Sequence, residues 1–318
     1  MLSLSEIEQA ASNVYAAMPP TPQYAWPLLA GRTGCEVWVK HENHTPIGAF
    51  KLRGGLVYID RLKRRQPALK GVISATRGNH GQSIALAARR AGIAATIVVP
   101  HGNSTEKNAA MCAFGAELVE AGHDFDAAKE TAVRLAGERG LAMVPSFHRD
   151  LVAGVASYAL EFLRSAPDLD TVYVPIGLGS GICGVISVRD GLGLSTRVVG
   201  VVSTGAPAYA LSFAAGKVIA TNSADTMADG MAVRGPDPDA LDLIRRGADR
   251  IVQVSDGEVV AAMRAYYSDT HQLVEGAGAA SLAALLQERE RMRGKRVGLI
   301  LSGGNIDRDL YLSALAGR

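Results

Sequence analysis

The feature that most constrains this chain is a repeated alternation. Short runs of β-branched and other apolar residues are each followed by a longer stretch rich in Ala and Leu. The short runs predict strands at 37–40, 71–75, 95–100, 117–120, 142–144, 171–175, 197–202, 251–254 and 296–301. The longer stretches predict helices at 5–17, 48–64, 81–91, 104–114, 125–139, 151–165, 181–191, 256–268 and 278–293. Strands that alternate with helices make an α/β fold, with open, mostly parallel twisted sheets flanked by helices on both faces. The strands read as unbroken apolar runs, as strands buried on both faces should. At about 150 residues per domain, 318 residues predict two domains.

Composition narrows the function classes. Lys and Arg number 33 and Asp and Glu 31, a net charge of +2, and no basic face dense enough for nucleic acid stands out. The run Arg61, Lys63, Arg64, Arg65 reads as a solvated helix end. The longest apolar runs are strand-sized, so no membrane span is expected. Cys35, Cys112 and Cys183 are far apart and form no CxxC pair. They argue against a disulfide framework or a zinc site and fit a reducing cytoplasm. The N-terminus carries Glu6 and Glu8 and lacks a basic start, so it does not read as a signal peptide.

The 35 glycines cluster where strands hand over to helices. Ligands of open α/β sheets bind at those carboxyl ends. In 40–55, a strand end and a Pro46-Gly48 turn precede a helix with Lys51 in its first turn. The positive helix end and burial both lower a lysine pKa towards the neutral amine that Schiff-base chemistry needs. Alone, the segment fits an exposed surface lysine as well. In 74–82, Thr76-Arg77-Gly78-Asn79-His80 follows a strand and opens an Ala-rich helix. Its amides and the Thr76 hydroxyl make a carboxylate cradle, although a plain turn with Asn79 as cap fits equally.

In 174–184, Gly177-Leu178-Gly179-Ser180-Gly181 follows another strand and suits a phosphate. Gly179, Gly181 and Gly184 also spell GxGxxG, but the next strand ends in Ser203-Thr204 without the acid of a dinucleotide site. In 299–307, a strand ends in Ser302-Gly303-Gly304-Asn305, where Ser302 offers a hydroxyl to a heterocycle nitrogen or simply closes a terminal turn. Asp229-Gly230 and Glu275-Gly276 are weaker signals, and Glu275 reads equally as a helix cap.

In this order and spacing, the four segments resemble the fold type II pyridoxal-phosphate enzymes, specifically the serine/threonine dehydratase family. The resemblance runs from about residue 21 to residue 306. It implies that Lys51 of A-F-K-L-R-G forms the Schiff base with pyridoxal 5'-phosphate and that Phe50 packs near the ring. It implies that Thr76, Arg77, Gly78, Asn79 and His80 form the substrate loop, with Asn79 on the cofactor's 3-oxygen. Gly177, Leu178, Gly179, Ser180 and Gly181 then hold the phosphate, and Ser302 faces the pyridine nitrogen. This cofactor needs an amine, a dianion site, a 3-oxygen partner and a nitrogen partner, and the segments supply one each. A hydroxyl opposite the nitrogen does not hold it protonated, which suits elimination of a β-substituent better than transamination.

The expected activity is an ammonia-lyase acting on a β-hydroxy L-amino acid: threonine, serine or a bulkier analogue such as phenylserine or 3-hydroxyaspartate. By that resemblance, Lys51 takes the α-proton, the β-hydroxyl leaves with a proton from the cofactor phosphate, and a 2-oxo acid and ammonia are released. Racemisation, β-replacement and a silent ligand-binding module are the rivals. Arg77 stands where racemising relatives carry a proton-exchanging serine, and it is expected to reshape the pocket or to pair with an acid such as Asp229. No acid lies from residue 197 to 224, so the family's metal site is not expected. Only 16 residues follow Ser302, so a C-terminal regulatory domain is not expected either. The expected architecture is a large domain of 1–69 and 149–318, a small one of 70–148, and a site in the cleft between them. A homodimer is expected by family and base rate.

Overall fold

A computed structural model describes residues 2–316. Ten strands form two sheets. They are β1 Gln23–Ala25, β2 Glu36–His41, β3 Gly71–Ala75, β4 Ala94–Val99, β5 Glu117–Glu120, β6 Ala142–Met143, β7 Thr171–Pro175, β8 Arg197–Ser203, β9 Arg250–Val254 and β10 Arg296–Leu301. The six-stranded sheet runs β1-β2-β10-β7-β8-β9 and the four-stranded sheet β5-β4-β3-β6. Every neighbour pair is parallel except β1 against β2. The strands of the smaller sheet all fall between Gly71 and Met143.

Burial follows from this layering. All five residues of β3 are buried, as are four of five in β7. Helices cover both faces, so each strand has no wet side and reads as an apolar run. Four expected strands match residue for residue: 71–75, 117–120, 171–175 and 296–301. The sequence reading missed β1 and the helices Pro27–Thr33, Ala208–Ala215, Pro238–Gly247 and Arg308–Ala316. β1 is three residues at a sheet edge, too short to show a period. The expected helix at 278–293 is two, Gly276–Gln287 and Arg289–Met292. Among the described residues no helix is long and apolar enough to cross a membrane.

The helix that carries Lys51, Lys51–Arg65, is pinned on several sides. A methyl on Gly154 would fall 2.1 Å from the Arg53 carbonyl, so this helix meets Arg149–Ser165 backbone to backbone. A methyl on Gly55 would fall 2.2 Å from Ser83 Oγ, and that hydroxyl donates to the Lys51 carbonyl at 2.7 Å. The buried Arg53 donates to both oxygens of Glu42 (2.7 and 3.0 Å) and both oxygens of Glu161 (2.6 and 3.0 Å). Lys40 joins the same cluster through Glu161. Two cations and two carboxylates thus compensate one another behind the first turn of the helix.

Candidate active site

The carboxyl ends of both sheets converge on one place. After β10, the chain passes Ser302 and pairs with the segment before Lys51. Phe50 N donates to Ser302 O at 3.0 Å, Gly304 N donates to Gly48 O at 2.9 Å, and Ala49 bridges Gly303. Lys51 is the first residue of its helix, and among the described residues nothing accepts a hydrogen bond from its amine. Its Nζ lies 5.1 Å from the Phe50 ring centroid. Burial, opposed by the Glu275 carboxylate, pushes its pKa down to about 8.

After β7, the chain turns at Gly179, whose φ of +99° favours glycine, and enters the helix Ser180–Gly191. The first intrahelical bond is Cys183 N to Gly179 O at 3.0 Å, which leaves the amides of Ser180, Gly181 and Ile182 as free donors. A methyl on Gly177 would fall 2.4 Å from Gly230 O. Tyr209 Oη donates to the Leu178 carbonyl at 2.9 Å, and Tyr158 Oη donates to the Gly181 carbonyl at 3.1 Å. Tyr158 also meets Phe50 edge to face at 6.1 Å, which ties this loop to the lysine. Tyr158 and Tyr209 carried no local signal in the sequence, since they lie 23 and 31 residues from the carbonyls they hold.

After β3, Thr76 Oγ1 accepts from Gly78 N at 3.1 Å. The Gly78 amide of the expected cradle is thus engaged within the turn in this structure. The Thr76 hydroxyl hydrogen and the amides of Asn79 and His80 remain, because the first bond in the helix Asn79–Ala91 is Gln82 N to Gly78 O. His80 is buried, its Nε2 has no partner, and burial together with the charge of Lys51 pushes its pKa down to about 3. It is neutral at working pH.

Asn79 is held from two sides. Its Nδ2 donates to Glu275 Oε1 at 2.9 Å and Oε2 at 3.1 Å. Its Oδ1 accepts from Asn305 Nδ2 at 2.8 Å, and the same Asn305 nitrogen donates to Ile47 O at 2.7 Å. Glu275 stands at the N-terminus of Gly276–Gln287 but makes no side-chain cap. Burial, with Asp229 in support and Lys107, Asn79 and Lys51 in opposition, pushes its pKa up to about 7. Arg77 is exposed and forms no ion pair with Asp229, so of its two expected roles the pairing is not seen. Asp229 pairs instead with Lys107, whose stem lies over Gly78. Arg77, Lys107, Asp229, Glu275 and Asn305 line a cleft of about 320 Å³ that no aromatic side chain reaches.

The structure thus gathers an unbonded amine, an anion cradle, a fixed amide donor and, at Ser302, a buried hydroxyl with no protein partner among the described residues. These groups match the four needs of pyridoxal phosphate. The sequence matches the pyridoxal-phosphate-dependent enzyme family over residues 14–303. The chain belongs to that family. Its cofactor is pyridoxal 5'-phosphate. An L-threonine ammonia-lyase of Geobacter sulfurreducens is 37% identical over 309 residues, 96% of this chain and 76% of that protein. An L-threo-3-hydroxyaspartate ammonia-lyase of Saccharomyces cerevisiae is 31% identical over 98% of this chain and 96% of its own length. Among solved structures, a pyridoxal 5'-phosphate-dependent aspartate racemase superposes with a TM-score of 0.92 at 29% identity, covering 97% of each chain.

Proposed function

We propose that this pyridoxal-phosphate enzyme is a carbon–oxygen lyase that converts a β-hydroxy L-amino acid to a 2-oxo acid and ammonia. The observation that carries the reading is the half-buried Lys51 amine, which makes no hydrogen bond among the described residues and whose helix is one backbone bond from Ser302. Bound pyridoxal phosphate supplies the electron sink for the electrons left at Cα. The first-turn amides of Ser180–Gly191 and the turn from Gly177 would hold the phosphate, and Phe50 would pack beside the ring. Asn79 Nδ2 would serve the 3-oxygen and the Ser302 hydroxyl the ring nitrogen. The Thr76 hydroxyl and the amides of Asn79 and His80 hold the substrate carboxylate. Lys51, its pKa lowered to about 8, would take the α-proton as general base; the β-hydroxyl would leave with a proton as water, and addition of water to the resulting imine would release the 2-oxo acid and ammonia.

The cleft, lined by Arg77, Lys107 and Asp229 together with Met227 and Ile306, favours compact or charged β-substituents: serine, threonine and 3-hydroxyaspartate before phenylserine. Arg77, exposed at its rim and without an acidic partner, suits a second carboxylate. Racemisation is the second reading, because a racemase shares the fold closely. It needs a residue that exchanges a proton on the opposite face. Arg77 stands at the position expected of that residue, and a guanidinium does not give up its proton. We take residues 70–148 as the small domain and 1–69 with 149–318 as the large one, supported by the confinement of the second sheet to 71–143. Closure over the cleft would exclude water. A cytoplasmic homodimer is part of the proposal, supported by three free thiols and by family; sedimentation tests the dimer.

The deciding experiment is a substrate panel with purified holoenzyme: L-serine, L-threonine, L-threo-3-hydroxyaspartate, threo-phenylserine and D-serine. The proposal expects 2-oxo acid and ammonia in equal amounts from at least one of the first three. D-serine formed from L-serine without pyruvate would move the assignment to racemisation.

A further inference from the structure

Glu275 is a buried carboxylate that the reaction just described does not use. It is neither a helix cap nor half of a simple ion pair. It sits against the Ser302 turn, since a methyl on Gly303 would fall 2.5 Å from its Oε1. Lys51 and Lys107 face it as cations and Asp229 as an anion, each from a different element. Its only hydrogen-bond donor among the described side chains is Asn79.

An Asn side chain has two faces, and only one presents N–H groups. Here the choice is forced twice. Asn305 presents an N–H to one side of Asn79, so the carbonyl must be there. Glu275 presents only acceptors to the other, so the NH2 must be there. One N–H of Asn79 goes to Glu275, and the second remains for a ligand. Asn79 belongs to the segment of the smaller sheet, whereas Glu275 and Asn305 belong to elements packed on the larger one. The donor is therefore fixed only where the two meet.

We propose that Glu275 is a positioning residue for the cofactor: with Asn305 it locks the Asn79 amide so that its free N–H points at the cofactor's 3-oxygen. The inference rests on the assignment of Asn79 given under Proposed function. Three consequences follow from the lock. Removing Glu275 leaves Asn79 held only through its carbonyl, by Asn305, so its NH2 loses the acceptor that aims it, and the cofactor's hold weakens although no contact residue has changed. The damage runs through Asn79, so it vanishes where Asn79 is already gone. A residue that merely stabilised the fold would instead weaken binding to the same degree with or without Asn79.

The test is a double-mutant cycle on cofactor affinity, read by titrating apo-protein with pyridoxal phosphate and following visible absorbance. Wild type, Glu275→Ala, Asn79→Ala and the double variant are compared, with Glu275→Gln as the isosteric check on folding. The inference expects each single Ala variant to weaken binding about tenfold, the scale of one hydrogen bond to a charged partner. The double variant should be no weaker than about the worse single. Additive loss, about a hundredfold, would overturn it. So would full affinity in Glu275→Ala when Asn79→Ala is weakened. If Asn79→Ala binds normally, the assignment of Asn79 fails and the inference falls with it.

Discussion

The Phe50 amide donates to the Ser302 carbonyl at 3.0 Å, so the residue before Lys51 and the residue after β10 are joined by one backbone bond. The two residues lie about four fifths of the chain apart. The bond ties the backbone that carries the lysine amine to the backbone that carries the serine hydroxyl. It also explains why Phe50, which precedes the helix, is needed for geometry as well as for packing.

Lys51→Ala should abolish turnover of every β-hydroxy amino acid, a loss of at least a thousandfold, by analogy with removal of a general base that also anchors a cofactor. The visible band of the holoenzyme should disappear with it. Retained turnover would remove Lys51 from the site.

A pH dependence follows from Glu275. Its folded pKa, about 7, lies above its ordinary carboxylate value of 4.5. Its contribution to stability is therefore fully present below pH 4.5 and is lost as pH rises through 7. Glu275→Gln has no such titration. The unfolding midpoint of apo Glu275→Gln, relative to wild type, should rise between pH 5 and pH 7.5. A difference that stays constant over that window would contradict the burial argument. Lys51 works in the opposite sense: lowered to about 8 from 10.5, its contribution is complete above 10.5 and is lost as pH falls through 8.

The phosphate turn gives a prediction of shape. A methyl on Gly177 would meet Gly230 O at 2.4 Å, and Gly179 needs a positive φ. Gly177→Ala should weaken cofactor affinity at least tenfold while the far-ultraviolet spectrum is unchanged. Equal affinity would show that the turn does not hold the phosphate.

Arg53→Met removes the hub of the buried cluster and leaves Glu42 and Glu161 facing only Lys40. Breaking such a network costs about 3–5 kcal/mol. Denaturant unfolding should show that loss, and Arg53→Lys should recover only part of it, because an ammonium cannot bridge two carboxylates as a guanidinium fork does.

Much of this was legible in the sequence. Strands buried on both faces announce themselves as apolar runs, and four were bounded to the residue. The lysine, the Thr76–His80 turn, the glycine turn and Ser302 stand out in the sequence because each sits where a strand ends, although each alone also fits a plain turn or a surface residue. Glu275 was visible but ambiguous, since an acid before a small-residue helix looks the same as a cap or as a site residue. Only the 2.9 Å contact with Asn79, across 196 residues, separates the two readings. Of the two roles open to Arg77, pairing with Asp229 is taken by Lys107, and no local pattern shows which of two cations will arrive; Arg77 is left lining the cleft. Tyr158 and Tyr209 act at long range from ordinary helical positions and gave no sign.

The central claim is elimination at a β-hydroxy amino acid, driven from Lys51. It is tested most directly by measuring 2-oxo acid and ammonia from L-serine, L-threonine and L-threo-3-hydroxyaspartate with wild-type holoenzyme and Lys51→Ala side by side. The account predicts equimolar oxo acid and ammonia from wild type with at least one substrate, and none from the variant. No oxo acid from wild type, with the visible cofactor band intact, would contradict it.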